Sequence, residues 1–205
     1  MNKTLLLMLK QSTLKAQNWL TRTVPPTAEA IALKELGLLL CQDTNNRTGS
    51  LLATKNYPFC LPSYTAFIDL NRKDLLGLVQ VICLSEPAAW QVKTSEKVTW
   101  AKIFGAVALS YAREKDLYCT AALVRAAVNL RLWHVYLAEA IGYLVDQQQP
   151  DGRFGLLTQE INSVYNADHN DNPQIQEAIM RLTVEVLWTI VEATFHLAEG
   201  DKCDR

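Results

Sequence analysis

Apolar residues recur every three or four positions along most of this chain, the spacing that lines one side of an α-helix. The pattern predicts helices at roughly 3–21, 27–42, 73–84, 96–115, 118–148 and 173–198. The fifth is long, and a break near Arg131–His134 is expected within it. Pro25-Pro26 ends the first helix and opens the second, as proline does in a first turn. Ser95-Glu96 and Asn172-Pro173 read as further helix starts.

The segment 43–72 departs from this period. It carries Asn, Gly, Ser and two prolines, with aromatics at Tyr57, Phe59, Tyr64 and Phe67. Connections of this length are uncommon unless they pack or function. The aromatics predict packing against the helices. A short hairpin around 49–60 fits the pattern, but no convincing strand alternation stands out. The expectation is all-α: a single helical domain over 1–205 with a long irregular loop at about 43–72. Successive helical pairs suit an α-hairpin stack or a partial α/α toroid.

Composition narrows the class. The chain has 205 residues, enough to bury a sizeable core in one domain. Hydrophobic residues reach 49% and charged residues only 20%, which suggests helices buried on more than one side or a surface kept apolar for a partner. The net charge of -1 offers no excess to recruit nucleic acid or anionic lipid. The apolar run at the N-terminus, Leu5 to Leu9, is cut short by Lys10 and Lys15 and reads as an amphipathic helix, not a signal peptide or membrane span. Five cysteines, odd in number and without a CxxC, read as reduced thiols in a cytoplasmic protein, most of them small core residues.

The most distinctive run is YLVDQQQPDGRFGLL, Tyr143 to Leu157. A helical pattern stops at three glutamines and is followed by Pro-Asp-Gly, an aromatic and another Gly. Gly152 suits a positive φ in a tight turn that Pro150 prepares, and Asp151 suits capping of backbone donors. A glutamine amide can bond a helix end while Phe154 packs on the turn. These features favour a structural staple between helices over an active-site loop.

Gln147 or Gln148, Asp151, Gly152, Phe154 and Gly155 resemble the glutamine–aromatic motif of terpene cyclases and related α/α-toroid proteins. RLTVEVLWTI, Arg181 to Ile190, resembles the helix that follows such a motif, so the resemblance covers roughly residues 135–198. It implies a helical toroid-like architecture. The family's chemistry does not carry over: the Asp-x-Asp-Asp motif of these cyclases is missing. Asp201-Lys202-Cys203 matches the letters of the related prenyltransferases' zinc-binding Asp-x-Cys pair, but no His follows it. The chain is also short for six helical pairs.

Two polar stripes are candidates for a site. On the last helix, Ile179, Leu182, Val186, Ile190, Ala193 and Leu197 make an apolar face, which Leu187, Val191 and Phe195 extend. Opposite lies a narrow stripe of Arg181, Glu185, Glu192, His196 and Glu199, with Trp188 in its middle. It reads either as a solvated edge with Arg181–Glu185 and Glu192–His196 pairs, or as a cavity wall with an aromatic floor and paired acids. On the fifth helix, Arg125, Asn129, Tyr136, Tyr143 and Gln147 share a face. If both stripes face inward, they line one pocket suited to an apolar or peptide-like ligand with a polar handle.

Of the histidines, His134 reads as a hydrogen-bonded core residue beside Leu130, Leu137 and Ile141, and His196 sits where a helix C-terminus favours a cation. Asp168, His169 and Asp171 suit helix capping before Pro173 better than a metal, and no metal or cofactor is expected. Cys60, in the long loop, lacks an identifiable base.

The leading functional expectation is a non-catalytic binding or accessory protein for an apolar small molecule, a peptide or a partner protein, with self-association left open. The alternative is a small terpene cyclase-like or transferase enzyme of specialised metabolism. In it Glu185, Glu192 and His196 would do acid–base work. Trp188, Tyr136, Tyr143, Arg125 and Arg181 would hold the ligand.

Overall fold

In the computed structural model the described residues are 3–42, 59–85, 90, 92–155 and 173–203. They form eight helices and no strand: α1 (Lys3–Arg22), α2 (Ala28–Gln42), α3 (Tyr64–Ile68), α4 (Arg72–Leu84), α5 (Thr94–Arg113), α6 (Leu117–Asn129), α7 (Val135–Asp146) and α8 (Pro173–Cys203). The all-α class is therefore what the chain adopts. Within it, contacts gather into two compact units. One comprises Met1–Asn46 and Tyr143–Arg205, the other Arg47–Gly142. Among the described residues no helix is long and apolar enough to cross a membrane.

The first unit is built on α1, α2 and α8, each packed on the other two. Leu5, Leu9, Ala16 and Leu20 form the buried side of α1 at helical spacing. The three helices meet at Gly37 of α2, where an added Cβ would lie 2.6 Å from Leu20 Cδ1 and 3.1 Å from Val184 Cγ2. The Pro25-Pro26 pair sits before α2 and not in its first turn. Thr27 is the cap: its Oγ1 accepts from Ala30 N at 3.0 Å and donates to Glu177 Oε2 on α8 at 2.7 Å. Pro173 does open α8, where a missing N–H costs nothing.

In the second unit, α6 is the central element. Ten consecutive residues, Cys119–Val128, are buried on every side. Its alanines let α4 and α5 pack closely against it. The last carbonyls of α4 have no partners within their own helix, and Asn129 supplies one. Its Nδ2 donates to Ile82 O at 3.2 Å and to Cys83 O at 3.3 Å. The sequence placed Asn129 on a pocket-lining stripe; the structure uses it as a cap for another helix.

The expected break in the long fifth helix separates α6 from α7. Arg131 takes φ 54°, Leu132 N donates to Ala127 O, and Arg131 N to Val128 O. This is a Schellman ending with arginine in the left-handed position where glycine is usual. Lys115 (φ 63°) closes α5 in the same way, with Asp116 N donating to Tyr111 O and Lys115 N to Ala112 O. His134 lies in the break and is half-exposed, not buried in the core as the wheel suggested. Its Nδ1 accepts from Tyr136 N at 3.3 Å at the start of α7.

Residues 43–58, and with them most of the proposed hairpin, lie outside the described residues. The rest of the expected loop packs as its aromatics predicted and contains the short helix α3, capped by Ser63 Oγ accepting from Ala66 N. Phe59 stacks on Trp90 at 5.2 Å between ring centroids. Tyr64 and Phe67 lie edge-on to Trp100, at 4.7 and 5.5 Å, and Phe67 also meets Phe104 of α5 at 4.7 Å.

Asp116 starts α6. Its Oδ1 accepts from Cys119 N at 3.0 Å, and its Oδ2 accepts from Arg72 Nε at 2.6 Å. Burial pushes this carboxyl up, but hydrogen bonds from Arg72 and Cys119 outweigh it and hold the pKa below the ordinary value. Burial first, and the Asp116 hydrogen bond second, push the Cys119 thiol up to about 12, so it is a protonated packing residue at neutral pH. A depressed carboxylate adds stability that is complete above the unfolded value of about 3.9 and is lost as pH falls through the folded value. Asp116→Asn keeps a capping acceptor and removes the charge. It is expected to lose about 0.5–1 kcal/mol at pH 7, because the partner Arg72 is exposed. The gap from the unaltered chain should close as pH drops below about 4; urea unfolding at pH 7 and pH 3 checks both.

Candidate functional site

The QQQPDGRFG run leaves α7 and turns back on itself. Gly152 N donates to Gln149 O at 2.9 Å, closing a turn around Pro150-Asp151, and Gln149 N donates to Arg153 O at 2.9 Å. Asp151 Oδ1 accepts from Arg153 N, and its other oxygen pairs with Arg153 Nε at 3.2 Å. Gln148 and Phe154 face each other across an antiparallel bridge, and Gly155 N donates to Gln147 O at 3.3 Å.

Three contacts attach this turn to the helices of the first unit. Gln148 Nε2 donates to Ser12 O in the middle of α1 at 2.9 Å, and to Gly152 O at 3.0 Å. Gly152 has φ 105° and lies on α1. An added Cβ would overlap the Lys15 carbonyl oxygen and come within 2.7 Å of its carbon. Phe154 is fully buried, and its N–H donates to Thr183 Oγ1 on α8 at 3.1 Å. The glutamine thus grips the flank of a helix and not its end.

The α8 stripe is divided. Arg181 is exposed and turns away from Glu185: its Nη2 pairs with Glu29 of α2, and with Glu177 at 3.7 Å. The expected Arg181–Glu185 pair does not form, because Glu29 and Glu177 lie at the junction where α2 starts against α8. Glu185, Trp188, Glu192 and His196 are half-buried along the same side. Trp188 Nε1 donates to Glu192 Oε1 at 3.1 Å, one helical turn on. The buried side also takes in two polar residues: Thr183 and Thr189 are fully buried with the apolar face. Thr189 Oγ1 donates to Glu185 O at 3.1 Å, which explains how a hydroxyl is tolerated there.

The second stripe is also dispersed. Arg125 is buried within α6. Tyr136 is exposed, sits edge-on to His134 at 4.6 Å and presses its Cβ against Gly105 of α5. Tyr143 is half-buried, and burial raises its phenol pKa above the ordinary value. Arg125 and Tyr136 belong to the second unit, whereas Tyr143 and the α8 stripe belong to the first. Neither unit by itself brings the two stripes together.

Among the described residues no group of three His, Cys, Asp or Glu is placed to hold a metal ion. Asp168, His169 and Asp171 lie outside the described residues. The expectation that most cysteines are core residues does not hold among these four: Cys119 is buried, Cys41 and Cys83 are half-buried and Cys60, on a loop, is exposed. No family model, curated protein or solved structure gives a significant match to the chain.

Sequence reasoning found the turn but missed Ser12 and Thr183, its polar contacts on α1 and α8. Nothing local marks either: on α1 the acceptor is the Ser12 main-chain carbonyl, which any residue would offer, and for Thr183 the only signal is a small hydroxyl on an otherwise apolar helix face. Gly152→Val is expected to destabilise the chain by about 3 kcal/mol, from a left-handed φ and overlap with α1 together. Thr183→Val leaves Phe154 N–H buried without its acceptor and is expected to cost about 1–3 kcal/mol. Urea midpoints of the purified variants check both.

Proposed function

We propose that this chain is a non-catalytic helical binding or accessory protein that docks a partner protein on the solvent faces of α1 and α2. One observation carries the reading. Six of the eleven exposed large apolar side chains among the described residues fall between Leu7 and Leu39, and Val24 and Leu39 are 82% and 60% exposed. Concentrated exposed apolar side chains mark interaction surfaces, whereas scattered ones need no explanation. The thiols Cys41, Cys60, Cys83 and Cys119, none in a disulfide, fit a reducing compartment, and the cytoplasm is the one this reading assigns. A peptide or an apolar small molecule is the lesser form of the same reading.

The second reading is a small terpene cyclase-like or transferase enzyme. What favours it is the indole–carboxylate pair of Trp188 and Glu192, half-buried on one side of α8 with Glu185 and His196. Native mass spectrometry before and after incubation with cell extract separates the two. The expected result is a complex larger by one whole protein, retained by Glu192→Gln and lost with Ile31→Ser/Leu39→Ser, two exposed positions, with unchanged far-ultraviolet circular dichroism as the check that the variant folds. A small-molecule adduct that turns over, and stops doing so in Glu192→Gln, would overturn the accessory reading.

A further inference from the structure

The charge on α1 is one-sided in a way that its own stability does not explain. The helix carries Lys3, Lys10, Lys15 and Arg22 and no acidic residue, in a chain whose net charge is -1. All four cations are exposed, and among the described residues none has an acidic partner. Lys3 even sits in the first turn, where the helix dipole disfavours a cation. No i,i+4 acid offsets any of them.

Their spacing is ordered. Leu5, Leu9, Ser12, Ala16 and Leu20 face the unit's interior. On the opposite side, Leu7 and Leu14, 57% and 58% exposed, stand seven residues apart in the middle of the solvent face. Exposed Thr4, Gln11 and Asn18 form a polar row beside them, again at intervals of seven. Lys3 and Lys10 run down one flank, and Lys15 and Arg22 down the other, each pair also seven apart. Rows with a seven-residue repeat stay nearly parallel to the axis, drifting only about 20° per repeat, so they form a continuous seam. Alternating Thr4, Leu7, Gln11, Leu14 and Asn18 occupy the core positions of such a seam, and the cations occupy its charged margins.

We infer that this face of α1 binds an acidic amphipathic helix of another protein, one with leucine and amide side chains along its seam and glutamate or aspartate on both margins. This rests on the accessory reading above and names the chemistry of its partner. A second copy of this chain is disfavoured on this face, because cations would meet cations on both margins. An anionic membrane surface is disfavoured because the Thr4, Gln11 and Asn18 row would be desolvated without partners. A facing helix supplies those partners, and a polar core position sets register.

The test uses the full chain and a synthetic heptad peptide with leucine and asparagine at its core positions and glutamate on both margins, fluorescently labelled. Controls are the same peptide with lysine margins and vesicles containing phosphatidylserine. The glutamate peptide is expected to bind, more weakly as salt rises. Lys10→Glu/Lys15→Glu and Leu7→Ser/Leu14→Ser should each weaken binding by about tenfold or more, with unchanged far-ultraviolet circular dichroism. Ile31→Ser/Leu39→Ser should bind the peptide normally, which separates this seam from the face of α2. Equal binding of both peptides, binding of neither, or binding to vesicles in place of the glutamate peptide would overturn the inference. If the extract complex still forms in that case, the accessory reading survives. If the peptide binds but the protein also turns over a small molecule through Glu192, the accessory reading falls and the seam stands.

Discussion

The backbone of Gly152 rests on the carbonyl of Lys15, too close for any side chain to intervene. Much of the first unit follows from that approach. It brings Gln148 within reach of Ser12 O and directs Phe154 into the core beside Thr183. Segments far apart in sequence are thereby joined through a turn of fewer than ten residues. A longer side chain at this point would push the turn off α1 and leave Phe154 N–H without an acceptor. Tight packing transmits a local change of this kind because interiors leave few voids to absorb it.

The second unit is organised differently. Its centre is a helix buried on all sides, and its polar groups serve mainly to finish neighbouring helices. Asp116 starts α6 and holds Arg72 at the first residue of α4, while Asn129 closes α4 from the far end of α6. Two cationic residues in left-handed conformations then turn the chain where glycine is more common. The resulting turns are short, so α5, α6 and α7 follow one another with only a few residues between them.

Against this background the exposed side of the first unit stands out. Its interior is satisfied by Leu5, Leu9 and Leu20, yet the outer faces of α1 and α2 carry leucines and an isoleucine. The exposed part of a leucine adds nothing to the burial that stabilises its own unit. On α1 these leucines are bordered by cations that no acid in the helix balances. Both features make sense for a helix with a second, external neighbour, which is the basis of the functional reading advanced above.

The sequence by itself determined the long helices, the break after α6 and the turn at Pro150–Gly152, but not the short helix α3 inside the irregular segment. Each depends on neighbours within a few residues, through apolar period, proline or glycine. It did not determine where the polar residues would go. A helical wheel shows the direction of Arg181, Asn129 and His134 but not what lies in that direction. The wheel pairs Arg181 with Glu185, and in the fold it meets Glu29. Asn129 was read as lining a pocket and instead caps α4, and His134 left the core for a turn. Tertiary structure decided these because a polar side chain takes the best partner in space, and here those partners lie on helices distant in sequence or at a helix end the wheel does not show.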